Sequence, residues 1–382
     1  MVTGVYFPEV NGAIRQCMEI TELLQDKVFF NVLTTTKKVQ LLKYKHVAGI
    51  RVYRFLVSGH ILSDILQVLS IFLFFIKHSS KFNAVHLHGF SSRSALIIIL
   101  SKVFRKKVIL KLTSFGHDDL DSVKRKGWLL YYCYSLVDAY IGISPIFEKS
   151  FLKIKRDSKR YHRIPNGVDT NLFTPVKGNK EKILLRSKLG LPADINLILF
   201  VGHFSLEKSA IHLLSAWLRL QEKHSTSQSG IVFIGSMDKN NFEVETEVVN
   251  TIRSQSKQFI NNKVFFLEKT DRIEEYYQAA DIYVLPSMRE GLPNTLLEAM
   301  SCAVPVISTR LIGITDWIID NNVDGFLYEP GDIDGLYLLL EKLLSDVPLR
   351  NNIGFNARKT IQSRFDISIT AMQIYKLYNV VV

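Results

Sequence analysis

The chain has 382 residues, 47% of them hydrophobic and 22% charged, with a formal net charge of +12. That length exceeds one ordinary core and suits two α/β domains of ~150–200 residues each, and no low-complexity tract or long block of like charge suggests a disordered tail. Three widely spaced cysteines, Cys17, Cys133 and Cys302, fit neither a disulfide framework nor a metal-knuckle spacing, which points to a reducing, cytoplasmic compartment.

Residues 1–5 lack the charged, apolar and small-residue regions of a secretory signal and read as the tail of a strand whose first half is missing. The turn Phe7-Pro8-Glu9-Val10-Asn11-Gly12-Ala13 leads into a predicted helix over 14–24. Strands are predicted over 29–33, 51–55, 84–88, 108–112 and 139–143, with helices over 61–77, 91–104 and 128–136 between them. The longest apolar run, 65–76, falls short of the ~20 residues that a spanning helix needs. It fits a helix buried between sheet and solvent, or an edge that dips into a bilayer interface.

Near Arg163 the texture changes to Ile164-Pro165-Asn166-Gly167-Val168-Asp169, whose turn residues and the polar stretch on to Lys182 mark an interdomain connection. Strands then follow over 197–201, 231–234, 264–267, 282–285 and 305–308, with helices over 209–222, 243–257, 273–279, 295–301 and 333–345. This alternation implies βαβ units in two doubly wound parallel-sheet domains, 1–175 and 176–365, with a helical stretch 366–382 able to pack back on the first. Open α/β sheets bind ligands at the carboxyl ends of their strands, so the active site is expected in a cleft between the facing domains.

Charge divides unevenly between these halves. Residues 1–175 hold 26 Lys+Arg against 12 Asp+Glu, and the remainder 22 against 24. The clusters Arg105-Lys106-Lys107, Lys124-Arg125-Lys126 and 153–163 alternate with Phe104, Trp128, Leu129, Tyr131 and Tyr132. One reading is attraction to anionic lipid headgroups or a lipid-phosphate acceptor, and the other is a solvated basic face. Nucleic acid is disfavoured, because zinc-finger, RNP-like and basic-zipper patterns are missing.

The passage Leu285 to Glu298 carries the strongest chemical signal. A strand ends, Glu290 and Gly291 form a loop, and Leu292 and Pro293 lead into a helix at Asn294 and Thr295. Gly291 permits close backbone approach, and the amides of Asn294, Thr295 and Leu296 offer a diphosphate site at the positive end of the helix dipole. Glu298, about one turn in, suits a vicinal diol such as a ribose, and Glu290 suits sugar hydroxyls or the positive charge that develops at an anomeric carbon. Two glutamates eight apart are common by chance, and only the strand, glycine and proline around them lift the pattern above a dipole-favoured surface charge.

Three further segments stand at strand ends. In Phe200 to Lys208, Lys208 can neutralise a leaving diphosphate and His203 can add a donor, where a lone lysine would otherwise be solvated surface. In Thr113 to Asp119, His117 with Asp118 and Asp119 can orient an acceptor hydroxyl or take its proton. Adjacent aspartates diverge, which argues against a metal site there. Asn11 and Gly12 can close over the diphosphate, or form a plain turn.

With these residues in place the chain resembles glycosyltransferase family 4 of the GT-B fold. The likeness rests on the Glu290-x7-Glu298 signature, the Pro-Asn-Gly-Val-Asp segment ending at Asp169 and the Gly202 to Lys208 loop, in that family's order. The resemblance implies a metal-independent, cofactor-free enzyme that retains anomeric configuration and uses nucleotide diphosphate sugars, here with a glycan or lipid-linked acceptor near an anionic membrane. Tyr276, Tyr277 and the loop 268–272 are then expected near the nucleotide base. His203 stands where the family usually has arginine, implying weaker or pH-sensitive diphosphate binding, and Phe115 occupies the usual histidine position. Ala303 and Asp316 replace a common glycine and a common glutamate. A dehydrogenase is disfavoured by the lack of Gly-x-Gly-x-x-Gly after a first strand. A nucleotide-sugar epimerase on the same scaffold, or a catalytically degenerate membrane-associated binding protein, are the remaining alternatives.

Overall fold

The computed structural model describes residues 1–8, 12–43, 45–57, 61–153, 157–223, 228–238, 244–259, 262–268 and 270–382. Asn11, part of the basic cluster at 153–163 and one position of the loop 268–272 lie outside the described residues. The chain forms two units, one of residues 1–167 with 367–382, the other of residues 168–366. The boundary drawn at 175 from sequence therefore falls inside the second unit.

In the first unit, α1 (Gly12–Leu24) precedes β1 (Asn31–Thr36), β2 (His46–Val47), β3 (Ile50–Leu56) and α2 (Ile61–His78). Then come β4 (Ala84–His88), α3 (Ser92–Val103), β5 (Lys107–Leu112), α4 (Leu120–Arg125), α5 (Trp128–Ser135), β6 (Ala139–Gly142), α6 (Pro145–Leu152) and β7 (Tyr161–Arg163). The strands pair as β2-β3-β1 and β4-β5-β6-β7, parallel except for β2 with β3. Val2 bridges Leu33 and Leu87 in parallel and joins the two groups, with Val2 N donating to His86 O at 2.8 Å and Leu33 N to Met1 O at 2.8 Å. The opening residues thus act as a short central strand.

Capping fixes where several helices start. Ser91 and Ser94 form a reciprocal capping box at α3, and Asp119 accepts from Ser122 N at the start of α4. One face of the first sheet is covered by α1 and the last helix of the sequence, α15 (Ile367–Val381). Ile14, Cys17 and Ile20 pack there with Ile109, Ile141, Ala371 and Ile374. Gln16 brackets the Asn-Gly turn by accepting from Gly167 N at 2.9 Å and donating to Gly167 O at 2.5 Å. Burial of these apolar side chains, ~1.5–3 kcal/mol each, holds α15 on this unit.

The second unit opens with α7 (Asn179–Lys188), so the polar stretch read as a connection up to Lys182 is helical from residue 179. Its order continues β8 (Asn196–Val201), α8 (Ala210–Lys223), β9 (Ser229–Ile234), α9 (Thr246–Gln255), β10 (Val264–Leu267) and α10 (Ile273–Ala279). Next come β11 (Ile282–Leu285), α11 (Asn294–Ser301), β12 (Val306–Thr309), α12 (Thr315–Ile318), β13 (Phe326–Tyr328), α13 (Ile333–Ser345) and α14 (Val347–Arg364). All six strands run parallel in the order β10-β9-β8-β11-β12-β13. The chain winds outward from β8 in one direction and from β11 in the other. The gap between the carboxyl ends of β8 and β11 is therefore the topological switch point, the place where such sheets leave a ligand crevice.

Side chains without charge fill the core of this unit, led by Trp217, Phe200, Phe204 and Phe233. At the switch point the backbone comes close to itself. A Cβ on Gly235 would meet Gly202 O at 1.8 Å, so only glycine lets the loop after β9 lie against the loop after β8.

Candidate active site

Two loops leave the switch point, 202–209 after β8 and 286–293 after β11. Ser205 shapes the first, its carbonyl accepting from Ser209 N at 3.0 Å and its Oγ from Lys208 N at 3.3 Å. Ser209 sits at φ +51°, a left-handed position that turns the chain into α8. The second loop is fastened from below, where Thr309 Oγ1 donates to Ser287 O at 2.5 Å.

The loops are tied to each other at three points. Met288 N donates to Glu207 O at 2.7 Å, Arg289 pairs with Glu207 at 2.6 Å, and Lys208 Nζ donates to Glu290 Oε1 at 2.7 Å. The Arg289–Glu207 pair is on the surface and contributes little alone. Lys208 and Glu290 are screened, with side chains 28% and 9% exposed. Sequence reasoning named both residues and missed Glu207 and Arg289, whose partnership depends on the fold bringing adjacent strand ends together.

Glu298 lies buried on α11. Its Oε2 accepts from the hydroxyl of Tyr277 at 2.8 Å. Tyr277, fully buried on α10, has its hydroxyl pushed well above the usual range, by burial first and then by the Glu298 carboxylate. Tyr283, also fully buried, has Thr295, Glu290 and Glu298 as electrostatic neighbours, and burial is the main force raising its hydroxyl. The two glutamates thus share one tyrosine-lined floor. Tyr277, expected near a nucleotide base, has its ring packed against Phe173 and Tyr283 and its hydroxyl committed to Glu298.

At the start of α11, Gly291, Asn294 and Thr295 are partly exposed, while Leu292 and Pro293 are buried beneath them. The Leu296 amide donates to Pro293 O at 3.1 Å, which removes it from the three amides expected to meet an anion. His203 stands half-buried on the first loop. Lys208, His203, Glu290, Gly291, Asn294, Thr295 and Glu298 therefore all belong to the switch-point end of one sheet.

The first unit answers differently for the proposed acceptor side. Asp118 is 5% exposed, and its carboxylate accepts from Phe90 N, Thr113 N, Thr113 Oγ1 and Ser114 N at 2.8–3.1 Å. Four donors fill its lone pairs, so the group expected to take a proton is a structural acceptor that fastens the loops after β4 and β5. Asp119 is similarly used, by Gly116 N at 2.6 Å and Ser122 Oγ at 2.7 Å. His117 is exposed on the intervening turn, and Gly12 is exposed at the first position of α1. Among the described residues no group of three or more His, Cys, Asp or Glu is placed to hold a metal ion. No helix among them is long and apolar enough to cross a membrane.

The family profile described as glycosyl transferases group 1 matches residues 181–360. A UDP-Gal:alpha-D-GlcNAc-diphosphoundecaprenol alpha-1,3-galactosyltransferase of Escherichia coli is 26% identical, over 97% of this chain and 88% of its own length. The capsular polysaccharide biosynthesis glycosyltransferase CapM of Staphylococcus aureus is 28% identical, over 49% of this chain and 46% of its own. The crystal structure of Anabaena HepE in complex with UDP and glucose superposes with a TM-score of 0.79 at 19% identity, covering 99% of this chain and 98% of that one. On these likenesses residues 181–360 match the group 1 glycosyl transferase profile, and the chain as a whole takes the GT-B fold.

Proposed function

We propose that the enzyme transfers a hexosyl group, with retention of anomeric configuration, from a nucleotide diphosphate sugar to a glycan or lipid-linked acceptor at the cytoplasmic face of a membrane. The reaction would serve polysaccharide or lipid-linked glycan assembly. The observation that carries this reading is the 2.7 Å approach of Lys208 to Glu290 at the switch point, beside the helix that holds Glu298. An arriving diphosphate competes for Lys208, which neutralises the charge that builds on the leaving group as the sugar–phosphate bond breaks. Glu290, released from its cation, turns to the sugar, and Glu298 accepts hydrogen bonds from the ribose diol.

In this reading no carboxylate of the first unit serves as a strong base. The leaving phosphate oxygen takes the acceptor's proton on the face that the new bond forms, which accounts for retention, and no divalent cation is required. The donor named for the Escherichia coli relative and the UDP and glucose bound by HepE support uridine diphosphate hexoses as the first donors to try. The diphosphoundecaprenol acceptor of that relative supports a lipid diphosphate acceptor, as does the excess of 26 Lys+Arg over 12 Asp+Glu in residues 1–175.

The test begins with thermal shift on a panel of nucleoside diphosphates and their sugars. It proceeds to nucleotide release with a lipid-linked acceptor, in the presence and absence of a chelator, and to the anomeric configuration of the product by NMR. Retained configuration and chelator-insensitive release are expected. An inverted product, or epimerised donor without acceptor, overturns the proposal.

A further inference from the structure

On the outward side of α2, a row of apolar side chains meets solvent. Ile65, Leu66, Leu69, Phe72, Leu73 and Ile76 are between 42% and 60% exposed. Their spacing of three, four and seven places them in one stripe along the helix. On the inward side Ile71, Phe74 and Phe75 are buried, and Phe75 meets Phe104 at the end of α3. The helix therefore has an apolar face too many. Isolated surface apolar residues are ordinary, but a contiguous stripe marks an interaction surface.

The neighbouring helices also carry exposed apolar residues. That helix packs on α3, and α3 packs on α5. Val103 and Trp128, at the end of α3 and the start of α5, are 66% and 79% exposed. Cations rim the same layer. Residues 61–82 contain Lys77 and Lys81 and one acid, Asp64, in the first turn of α2, and 124–132 contain Lys124, Arg125 and Lys126 and no acid. Lys106 sits over the Phe82 ring at 5.6 Å, which brings the cluster 105–107 to the end of the stripe.

We propose that the layer α2–α3–α5 docks the first unit on an anionic lipid bilayer. The apolar stripe enters the boundary between headgroups and acyl chains, Trp128 lies at that boundary, and the lysines and arginines meet the phosphates. A second copy of this chain fits the face less well, because a self-facing contact would set these cations against one another. The inference rests on the membrane part of the proposed function and is independent of its chemistry.

Flotation with phosphatidylcholine vesicles, with and without phosphatidylglycerol, tests it. Binding at least about ten-fold stronger to the anionic vesicles is expected, weakening with salt, with a blue shift in emission that Trp128→Phe removes. The double variant Leu69→Glu with Leu73→Glu is expected to lose that binding while keeping its melting temperature and its thermal shift with nucleotide. Equal binding by the double variant, no preference for phosphatidylglycerol, or a solution dimer that the double variant dissociates would each overturn the proposal. Vesicle binding without any transferase activity leaves this surface standing and fells the proposed chemistry, and transfer without vesicle binding does the reverse.

Discussion

Lys208 Nζ and Glu290 Oε1 are 2.7 Å apart although 82 residues separate them in the chain. The ion pair joins the loops of two strands that are sequence-distant and sheet-adjacent. Replacing one partner leaves the other charge in a half-closed site, and in the proposed reaction loss of Lys208 also removes the cation from the leaving diphosphate. Lys208→Ala is expected to lower turnover ~10²–10³-fold, the range seen when one preorganised electrostatic partner is lost. Steady-state nucleotide release measures this, and wild-type turnover in the variant would remove Lys208 from the chemistry.

Tyr277 supports Glu298 from behind at 2.8 Å. Because one carboxylate oxygen is held by the phenol, the carboxylate has a fixed direction, which the proposed grip on a ribose diol would use. Tyr277→Phe deletes only the hydroxyl and keeps the ring contacts with Phe173 and Tyr283. A hydrogen bond to a charged group contributes ~1.5–3 kcal/mol, so KM for the donor is expected to rise by about ten-fold or more with kcat little changed. An unchanged KM in Tyr277→Phe alongside a raised KM in Glu298→Gln would show that the tyrosine does not orient the carboxylate.

The fold was legible where period and punctuation agreed. Strands 264–267 and 282–285 and helices 273–279 and 333–345 were readable to the residue, because apolar runs there end at turn or capping residues. Helix α14 was passed over, since its buried positions Ile353, Gly354, Ala357 and Ile361 are few and small along an otherwise polar segment. Strand β7 is only three residues long and carries charge, which hides it from any pattern test. In the candidate site, the convergence of Lys208, Glu290 and Glu298 at one end of the sheet was readable from the loops that frame them. The Tyr277 contact was not, because it joins two helices whose facing sides look like plain core. Asp118 is the opposite case, since an acid at a strand end reads as reactive in sequence while its backbone donors are set by the fold.

Those donors make Asp118 a test of structure against chemistry. Its carboxylate takes three backbone amides and the Thr113 hydroxyl. Asp118→Ala strands all of them in a buried loop, and a loss of about 2–4 kcal/mol in unfolding free energy is expected. Denaturant titration measures the loss. Activity per folded molecule should fall far less than in Lys208→Ala, and a stable but inactive Asp118→Asn would return this residue to the chemistry.

Lys111 presents the opposite case, a buried cation with an unmet need. It lies in register with His88 on β5, is 1% exposed, and its Nζ finds no hydrogen-bond partner among the described residues. Burial pushes its ammonium down to about 8 from 10.5, against smaller opposing pulls from Cys17 and Glu19. His86 and His88 beside it are held well below their usual range, chiefly by burial, and so add no charge at neutral pH. With a folded value below the unfolded one, both states carry the proton below pH 8 and the folded state bears the full desolvation cost, on the order of 3 kcal/mol. Between pH 8 and 10.5 the folded state releases the proton while the unfolded chain keeps it, so stability contributed by this group rises with pH across that window. Lys111→Met should therefore be more stable than wild type at pH 7, and the gap should narrow as pH approaches 10.5. Melting curves of both proteins from pH 7 to 10.5 measure it, and parallel pH profiles would mean that Lys111 keeps its proton in the fold.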